Sequence, residues 1–376
     1  MTSLNRRRDG AREVVYLARP GVNPTGHECA TQRALAAALA ELKGWPFGGD
    51  YDPERHCAAR AYFVPGDTLE AGAAARLGVH GEHDLFGGVV PFPFVATKTI
   101  SHPLVHLGAQ APLGWSHGFG QRVRSVVLPG YSAFVLDDAR AAGRRLLECG
   151  SVRIKLGGGV GGVGQSVART AVELEDVLAS IEAGPGFGPG VVLETNLEQV
   201  DTLSAGRTRI DDLVMSYYGR QRLTTDNIGR HVYGGSELFV VRGEFDVLRA
   251  RVLPDEVRIA LEQAQHYHAA ALESFPGLCA SRCNYDIAQG RDDEGNWLSG
   301  VLEQSWRIGG ASGAELLAFA AFLGDPALQA VRATTIEVYG EAPPVPEDAQ
   351  VLFSGVDPKV GRITKYARIE GYGDAG

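Results

Sequence analysis

The sequence predicts a mixed α/β and α+β protein: a small N-terminal α/β domain followed by a core of two α+β lobes. Three observations carry that expectation. The apolar run Val14-Val15-Tyr16-Leu17-Ala18 is closed by Arg19-Pro20-Gly21 and followed by helical spacing from Thr31 to Leu42, the strand–loop–helix opening of an α/β unit. Val152-Arg153-Ile154-Lys155-Leu156 reads as a strand that runs straight into a glycine-rich loop. From residue 191 onward, short strands separated by turns replace the alternation of strand and helix, as in antiparallel sheet.

In chain order, Ala61 to Pro65 is the second strand, and Thr68, as N-cap, opens a helix to Leu77. Residues 1–95 thus form the N-terminal domain. Val89 to Phe94 is stiff and proline-rich, a linker or extended edge. Strand character returns at Val126 to Tyr131. Asp137 to Glu148 is an amphipathic helix stopped by Gly150, and Glu173 to Ile181 is another, closed by the turn at Gly184 to Gly190. This second unit spans 96–190. The third, 191–325, holds strands at Val191 to Leu193, Asp212 to Met215 and Glu237 to Val241, a long helix from Asp255 to Leu272, two strands around Asp286 and Glu303, and a core helix from Ala314 to Leu323. Residues 326–376 are a β-rich tail, with strands near Thr334 to Val338 and Gly361 to Tyr366.

Bulk properties exclude several classes. A chain of 376 residues exceeds one ordinary core, so two or three units are expected. The net charge of −9 argues against nucleic acid as a partner. No run approaches the ~20 apolar residues of a membrane span. No apolar run follows Met1 to Arg8, so no signal peptide is expected there, and the five cysteines are expected as free thiols in the cytoplasm. Where the chain forms a homodimer, the tail after Asp325 and the N-terminal domain are the surfaces expected to meet.

The glycine loop Gly157-Gly158-Gly159-Val160-Gly161-Gly162-Val163-Gly164 contains a literal G-x-G-x-x-G. A dinucleotide fold needs that motif at the first strand of a βαβ unit, and the meander downstream does not supply one. A P-loop fails because Gln165 stands where its lysine is required. The remaining functional reading is a glycine flap between two strands whose N–H groups cover phosphates. Lys155, between Ile154 and Leu156 on the preceding strand, then has a reason to carry charge in apolar surroundings.

Asp286 and Glu303 lie on consecutive strands joined by the polar turn Arg291 to Asn296, an arrangement that brings both carboxylates to one face. Two close carboxylates repel, and a divalent cation relieves the repulsion. Mg²⁺, which takes oxygen ligands and keeps phosphates and water, suits them. Arg307, four residues past Glu303, is placed to reach a phosphate bidentately. At Leu193-Glu194-Thr195-Asn196-Leu197-Glu198 a strand enters an acid-rich hinge, where backbone groups can read an adenine and a carboxylate can hold ribose hydroxyls.

In their order these residues resemble the ATP-grasp superfamily, from about Lys98 to Leu323. The resemblance covers Lys98, Ile154-Lys155 with its flap, the hinge from Glu194 to Glu198, Asp286, and Glu303-Gln304-Ser305-Trp306-Arg307. Family members carry an asparagine where this chain has Ser305. The resemblance implies that ATP lies between two lobes and is held by Lys98, Lys155, Gly158, Gly159, Gly161, Gly162, Glu194, Asn196, Leu197 and Glu198. It implies Mg²⁺ at Asp286, Glu303 and Ser305, with Arg307, Lys155 and Arg282 serving the chemistry, Arg282 as receptor for a substrate carboxylate. The reaction implied is ATP-dependent activation of a small-molecule or peptide carboxylate as an acyl-phosphate, captured by an amine or thiol. A kinase or carboxylase on the same fold, and a nucleotide-sensing protein without turnover, are the alternatives, the latter suggested by Ser305.

Rival patterns are weaker. Gly114-Trp115-Ser116-His117-Gly118 matches a nucleophile elbow, but the strand and helix that an elbow needs are not evident. His266 and His268 are two apart on a helix and face different sides, and His80 and His83 have no third ligand. Of Arg207, Arg209, Arg220, Arg222 and Arg230, one or two are candidates to grip phosphate or an acidic substrate.

Overall fold

The computed structural model describes residues 12–56, 61–159, 164–184, 186–341 and 344–373. The chain opens with β1 (Glu13–Leu17), α1 (His27–Lys43), β2 (Phe47–Asp50) and β3 (Ala61–Pro65), three parallel strands in the order β2-β1-β3. Val14, Val15 and Tyr16 are fully buried, as a central parallel strand requires. Helix α1 ends at Gly44, whose left-handed φ of 65° lets its N–H cap the last turn.

Next come β4 (Leu69–Glu70), α2 (Ala71–Arg76) and β5 (Gly88–Val90), then a 3₁₀ turn over Lys98–Ser101. Thr68 is not the N-cap expected of it. Glu70 holds that position, because Leu69 and Glu70 are drawn into a parallel pairing with β5. The expected linker at residue 89 is in part strand.

The second layer contains α3 (His117–Arg122), β6 (Gly130–Ala133), α4 (Leu136–Leu147), β7 (Val152–Leu156), β8 (Gln165–Ala168), α5 (Ala171–Ala183) and β9 (Val191–Thr195). Its four strands form an antiparallel sheet in the order β6-β9-β7-β8. The strand expected at 126–131 forms only from Gly130. Val127 and Leu128 are buried instead against Gly300 of a later strand. Residues 191–195, expected to open the third unit, form β9 between β6 and β7 of this sheet.

The third layer contains β10 (Glu198–Ile210), β11 (Leu213–Thr225), β12 (His231–Arg242), α6 (Phe245–Arg249), α7 (Asp255–Ser274), β13 (Cys279–Ala280), β14 (Arg282–Arg291), β15 (Trp297–Ser305), α8 (Ser312–Gly324), β16 (Ala330–Tyr339), β17 (Gln350–Asp357) and β18 (Gly361–Tyr372). Eight of these strands make one sheet, β15-β14-β10-β11-β12-β16-β18-β17, while β13 pairs with β5. The expected separate tail therefore supplies three strands to the main sheet. Strand β17 was not anticipated, because its alternation is weak and it lies at the sheet edge.

The alternation of β12 shows why this sheet has two covered faces. Phe239 and Val241 enter the core under α7, whereas Leu238 and Val240 enter the core under α8 and α1. The α7 stripe Val257, Ala260, Leu261, Ala264, Tyr267 and Ala271 follows helical spacing and is buried. On β14, Cys283, Tyr285 and Ile287 face α7, so Asn284 and Asp286 face the opposite side.

Candidate active site

Two charged centres lie on neighbouring sheets, joined by the hinge. The first sits on the four-stranded sheet. Ile154 and Leu193 enter the core beneath α4 and α5, so strand alternation turns Lys155 and Glu194 to the other face. Lys155 Nζ is ion-paired with Glu194 Oε1, and both residues are buried. His102 Nε2 lies 3.2 Å from Glu194 Oε2. Gly130, opposite Glu194 in the ladder, leaves room for this histidine: a Cβ there would come 2.9 Å from the ring. Burial raises the Glu194 pKa, but Lys155 and His102 outweigh it and hold the carboxyl at about 2.

The second centre sits on β14 and β15. The register places Asn284 opposite Ser305 and Asp286 opposite Glu303, so these four share one face. Asp286 Oδ1 accepts hydrogen bonds from Ser204 Oγ at 3.0 Å and Asn284 Nδ2 at 2.8 Å. Its pKa is nevertheless raised, first by burial and then by the Glu303 carboxylate across the ladder. On the other face Gln304 donates to Val95 O at 2.9 Å and Thr97 O at 2.8 Å, which fixes the turn that carries Lys98. Lys98 Nζ then bridges Glu303 Oε2 at 2.7 Å and Gly159 O at 2.6 Å, tying the foot of the glycine loop to the acidic pair.

Strands β7 and β8 form an antiparallel hairpin around that loop, with Lys155 opposite Gln165, so the loop does not open a βαβ unit. Gly157 lies where an added Cβ would meet Pro189 O at 2.4 Å. Gly158 and Gly159 stand at the loop foot, with Gly158 facing open space. Gly161 and Gly162 lie outside the described residues. At the hinge, Asn196 N–H donates to Ser151 O, and its side-chain oxygen accepts from Arg153 at 2.7 Å. Asn196 thus shapes the hinge with its side chain. Leu197 packs with Leu128 and Ala288, and Glu198 is exposed at the start of β10.

The two arginines have opposite fates. Arg282 is 2% exposed and binds Glu315 through three donor contacts of 2.8 to 3.1 Å, with a fourth bond of 2.5 Å to Arg307 O. Burial would lower its pKa, but the Glu315 charge holds it above the ordinary value. The expectation that Arg282 receives a substrate carboxylate is therefore corrected: helix α8 already presents it with one. Tyr217 OH donates to the same Glu315 at 2.6 Å, and its oxygen lies 3.0 Å from Asn284 Oδ1. Among the described residues, Arg307 donates to Ile308 O at 3.0 Å and has no acid within ion-pair distance. Burial pushes its guanidinium below the ordinary value.

Sequence reasoning missed His102, Asn284, Ser204 and Glu315. Asn284 could have been found from the two-residue period of the Asp286 strand; the others come from distant segments and left no local signal. The five meander arginines all face acids: Arg207 and Arg209 meet Glu82 and Glu244, Arg220 meets Asp201, Arg222 meets Glu237, and Arg230 meets Asp226. The phosphate role expected of one or two is thus not favoured. Ser116 Oγ caps α3 by accepting from Phe119 N at 3.2 Å, so a short helix does follow it, contrary to expectation. No β-strand among the described residues leads into it.

Among the described residues, no group of three or more His, Cys, Asp and Glu side chains is placed to hold a metal. Asp286, Glu303 and the Ser305 hydroxyl are an all-oxygen set on one face. Such a set fits Mg²⁺ that draws its remaining ligands from phosphate and water. No helix among the described residues is long and apolar enough to cross a membrane.

This architecture is the fold of ATP-grasp enzymes. The biotin carboxylase domain of the Hydrogenobacter thermophilus 2-oxoglutarate carboxylase superimposes with a TM-score of 0.53 at 14% identity, over 96% of this chain and 86% of that one. Biotin carboxylase from Campylobacter jejuni gives 0.52 at 12% identity, over 95% and 87%. D-Alanine–D-alanine ligase from Bacillus anthracis gives 0.50 at 11% identity, over 82% and 96%. Residues 15–367 match the family described as "Protein of unknown function (DUF3182)", and the chain belongs to that family. A local match of 40% identity over 81 residues links it to pyridoxine 5'-phosphate synthase of Allorhizobium ampelinum. It covers 20% of this chain and 32% of that protein.

Proposed function

We propose that the protein is a Mg–ATP-dependent carboxylate ligase that forms C–N bonds. The observation that carries the reading is the square of Asn284, Asp286, Glu303 and Ser305, tied through Lys98 to the foot of the glycine loop. ATP would lie between the four-stranded sheet and β14–β15, its adenine at the hinge Glu194–Glu198 and its phosphates beneath the glycine flap. Lys98 would supply positive charge there, with Lys155 held beside it by Glu194, and Arg307 has no acid within ion-pair distance among the described residues. Mg²⁺ held by Asp286, Glu303 and Ser305 would supply neutralisation between carboxylates and phosphates. Lys98 is held by Glu303 in this structure, and a cation on that carboxylate would leave the lysine for phosphate.

Phosphoryl transfer needs mainly positioning and charge stabilisation, which these groups provide. A substrate carboxylate oxygen attacks the γ-phosphorus as ADP leaves, and an amine then displaces phosphate from the acyl carbon. Glu194 serves as a fixed anion that holds Lys155 in place. Ser305 in the asparagine position favours a second reading, nucleotide binding without turnover.

Calorimetric titration of Mg–ATP into wild type, Lys155→Ala and Glu303→Gln tests the site. Micromolar binding by wild type that weakens in both variants is expected. No binding by folded wild type would sink the reading. ADP release that depends on an acid and an amine separates the ligase from the sensor.

A further inference from the structure

One strand separates Tyr217 from Asn284, and a glycine stands on it. Gly206 of β10 is opposite Tyr217 of β11 on one side and opposite Asn284 of β14 on the other. A Cβ on Gly206 would come 2.2 Å from Tyr217 Cζ and 2.3 Å from its Oη. The tyrosine ring therefore lies across the backbone of β10, and the missing side chain lets it cross. Its hydroxyl reaches Glu315 Oε1 of α8 at 2.6 Å and Asn284 Oδ1 at 3.0 Å. Tyr217 and Glu315 are fully buried, and Asn284 is 8% exposed. The line of contacts ends on the acidic pair, because Asn284 Nδ2 donates to Asp286 Oδ1 at 2.8 Å.

There are too few protons for this line. A phenol has one, and here it faces two acceptors. The carboxylate is the nearer and the stronger acceptor, so the proton goes to Glu315. The Tyr217 oxygen then turns lone pairs toward the amide oxygen of Asn284, and two acceptors meet. A half-turn of the amide removes that clash: its NH₂ donates to Tyr217, and its carbonyl oxygen faces Asp286. The turned amide brings two oxygens together at the Asp286 end instead, and a divalent cation between them makes both into ligands. The carboxylate that orients the phenol is itself fixed, by three Arg282 donor contacts of 2.8 to 3.1 Å.

We infer that Asn284 is a further oxygen ligand to the divalent cation of the proposed site, and that Tyr217, held by Glu315, turns its amide oxygen toward that cation. The inference rests on the Mg–ATP reading. Asn284 stands directly opposite Ser305, and Asp286 opposite Glu303, so four oxygen donors on two strands share one face. Without a cation the amide gives its NH₂ to Asp286, as in this structure. With one, the NH₂ passes to Tyr217. Tyr217 and Glu315 act through Asn284 and are positioning residues. A purely structural role makes a different demand: Tyr217 would then matter to the stability of the sheet and not to the cation.

The test is Mn²⁺ binding by the full chain with a non-hydrolysable ATP analogue present, read by electron paramagnetic resonance and calorimetry, beside thermal melts of every variant. Asn284→Ala and Tyr217→Phe should each weaken Mn²⁺ roughly tenfold or more, while affinity for the analogue without metal stays at the wild-type value. The double variant should bind no more weakly than Asn284→Ala, because Tyr217 acts only through that amide. In an Asn284→Asp background either oxygen can face the cation, so Tyr217→Phe should change the affinity by less than about twofold. Asn284→Ala leaves the phenol in place and keeps the ligand assignment testable should Tyr217→Phe fail to fold. Single effects that multiply in the double variant overturn the relay. Mn²⁺ affinity indifferent to Asn284→Ala overturns the ligand assignment and leaves the Mg–ATP reading standing. No Mn²⁺ bound by a folded wild type overturns the assignment together with the metal part of that reading. The expected dependence on Asn284 and Tyr217 in a chain without acid- and amine-dependent ADP release supports the assignment and overturns the ligase reading instead.

Discussion

The two acidic centres differ in how their charge is met. Glu194 is enclosed, and Lys155 and His102 stand at its two oxygens, so its carboxyl is held ionised at about 2 despite burial. Asp286 and Glu303 face each other across a ladder with Lys98 as their cation, and Asp286 is pushed up. The first centre is electrostatically complete and orders the sheet. The second sets two carboxylates against one lysine, so a net negative charge remains that a further cation would offset. The arginines repeat the contrast: Arg282 is closed on Glu315, and Arg307 is not closed on any acid among the described residues.

The comparison can be broken most sharply at the closed pair. Glu315→Ala leaves Arg282 as a buried uncompensated charge and should destabilise the fold by about 3–5 kcal/mol in denaturant melts; a wild-type midpoint would mean that the pair is not closed after all. Glu194 comes next. Its carboxyl sits at about 2 against an ordinary 4.5, so the stability it adds is fully present above pH 4.5 and is lost as pH falls toward 2. The amount is on the order of 3 kcal/mol. Glu194→Gln should flatten that acid limb of a stability-versus-pH curve, and an unchanged limb would remove Glu194 from the complete class.

At the open centre the effect should move from stability to ligand. Glu303→Gln relieves repulsion with Asp286 but removes the partner of Lys98, so melting should change little, while Mg–ATP affinity drops roughly 10- to 100-fold. A large loss of stability with affinity intact would reverse the contrast. The smallest effect is Ser116→Ala, which removes a helix cap worth about 1 kcal/mol and should leave nucleotide-dependent activity unaltered. Hydrolytic activity abolished by that change would bring the serine elbow back.

Legibility followed the range of the interactions. The Lys155 strand, the glycine hairpin and the Asp286–Glu303 pairing were readable, because period-two alternation and turn residues are local signals. The start of α2 was misplaced because a non-local pairing of Leu69 and Glu70 with β5 overrode the Thr68 cap signal. Arg282 was misread because Glu315 lies on α8, and nothing near Arg282 announces it.

By itself, the sequence determined the kinds of chemistry on offer: lysine strand, glycine loop, two carboxylates on consecutive strands, and a hinge. Only the tertiary structure decided which charges are closed and which are open. It carried Lys98 to Glu303 and Gly159, brought His102 to Glu194 through the space left by Gly130, and laid Tyr217 across Gly206 to Asn284. The reason is physical: a side chain's type is a local property, whereas the partner and burial that fix its charge depend on registers and crossovers between distant segments.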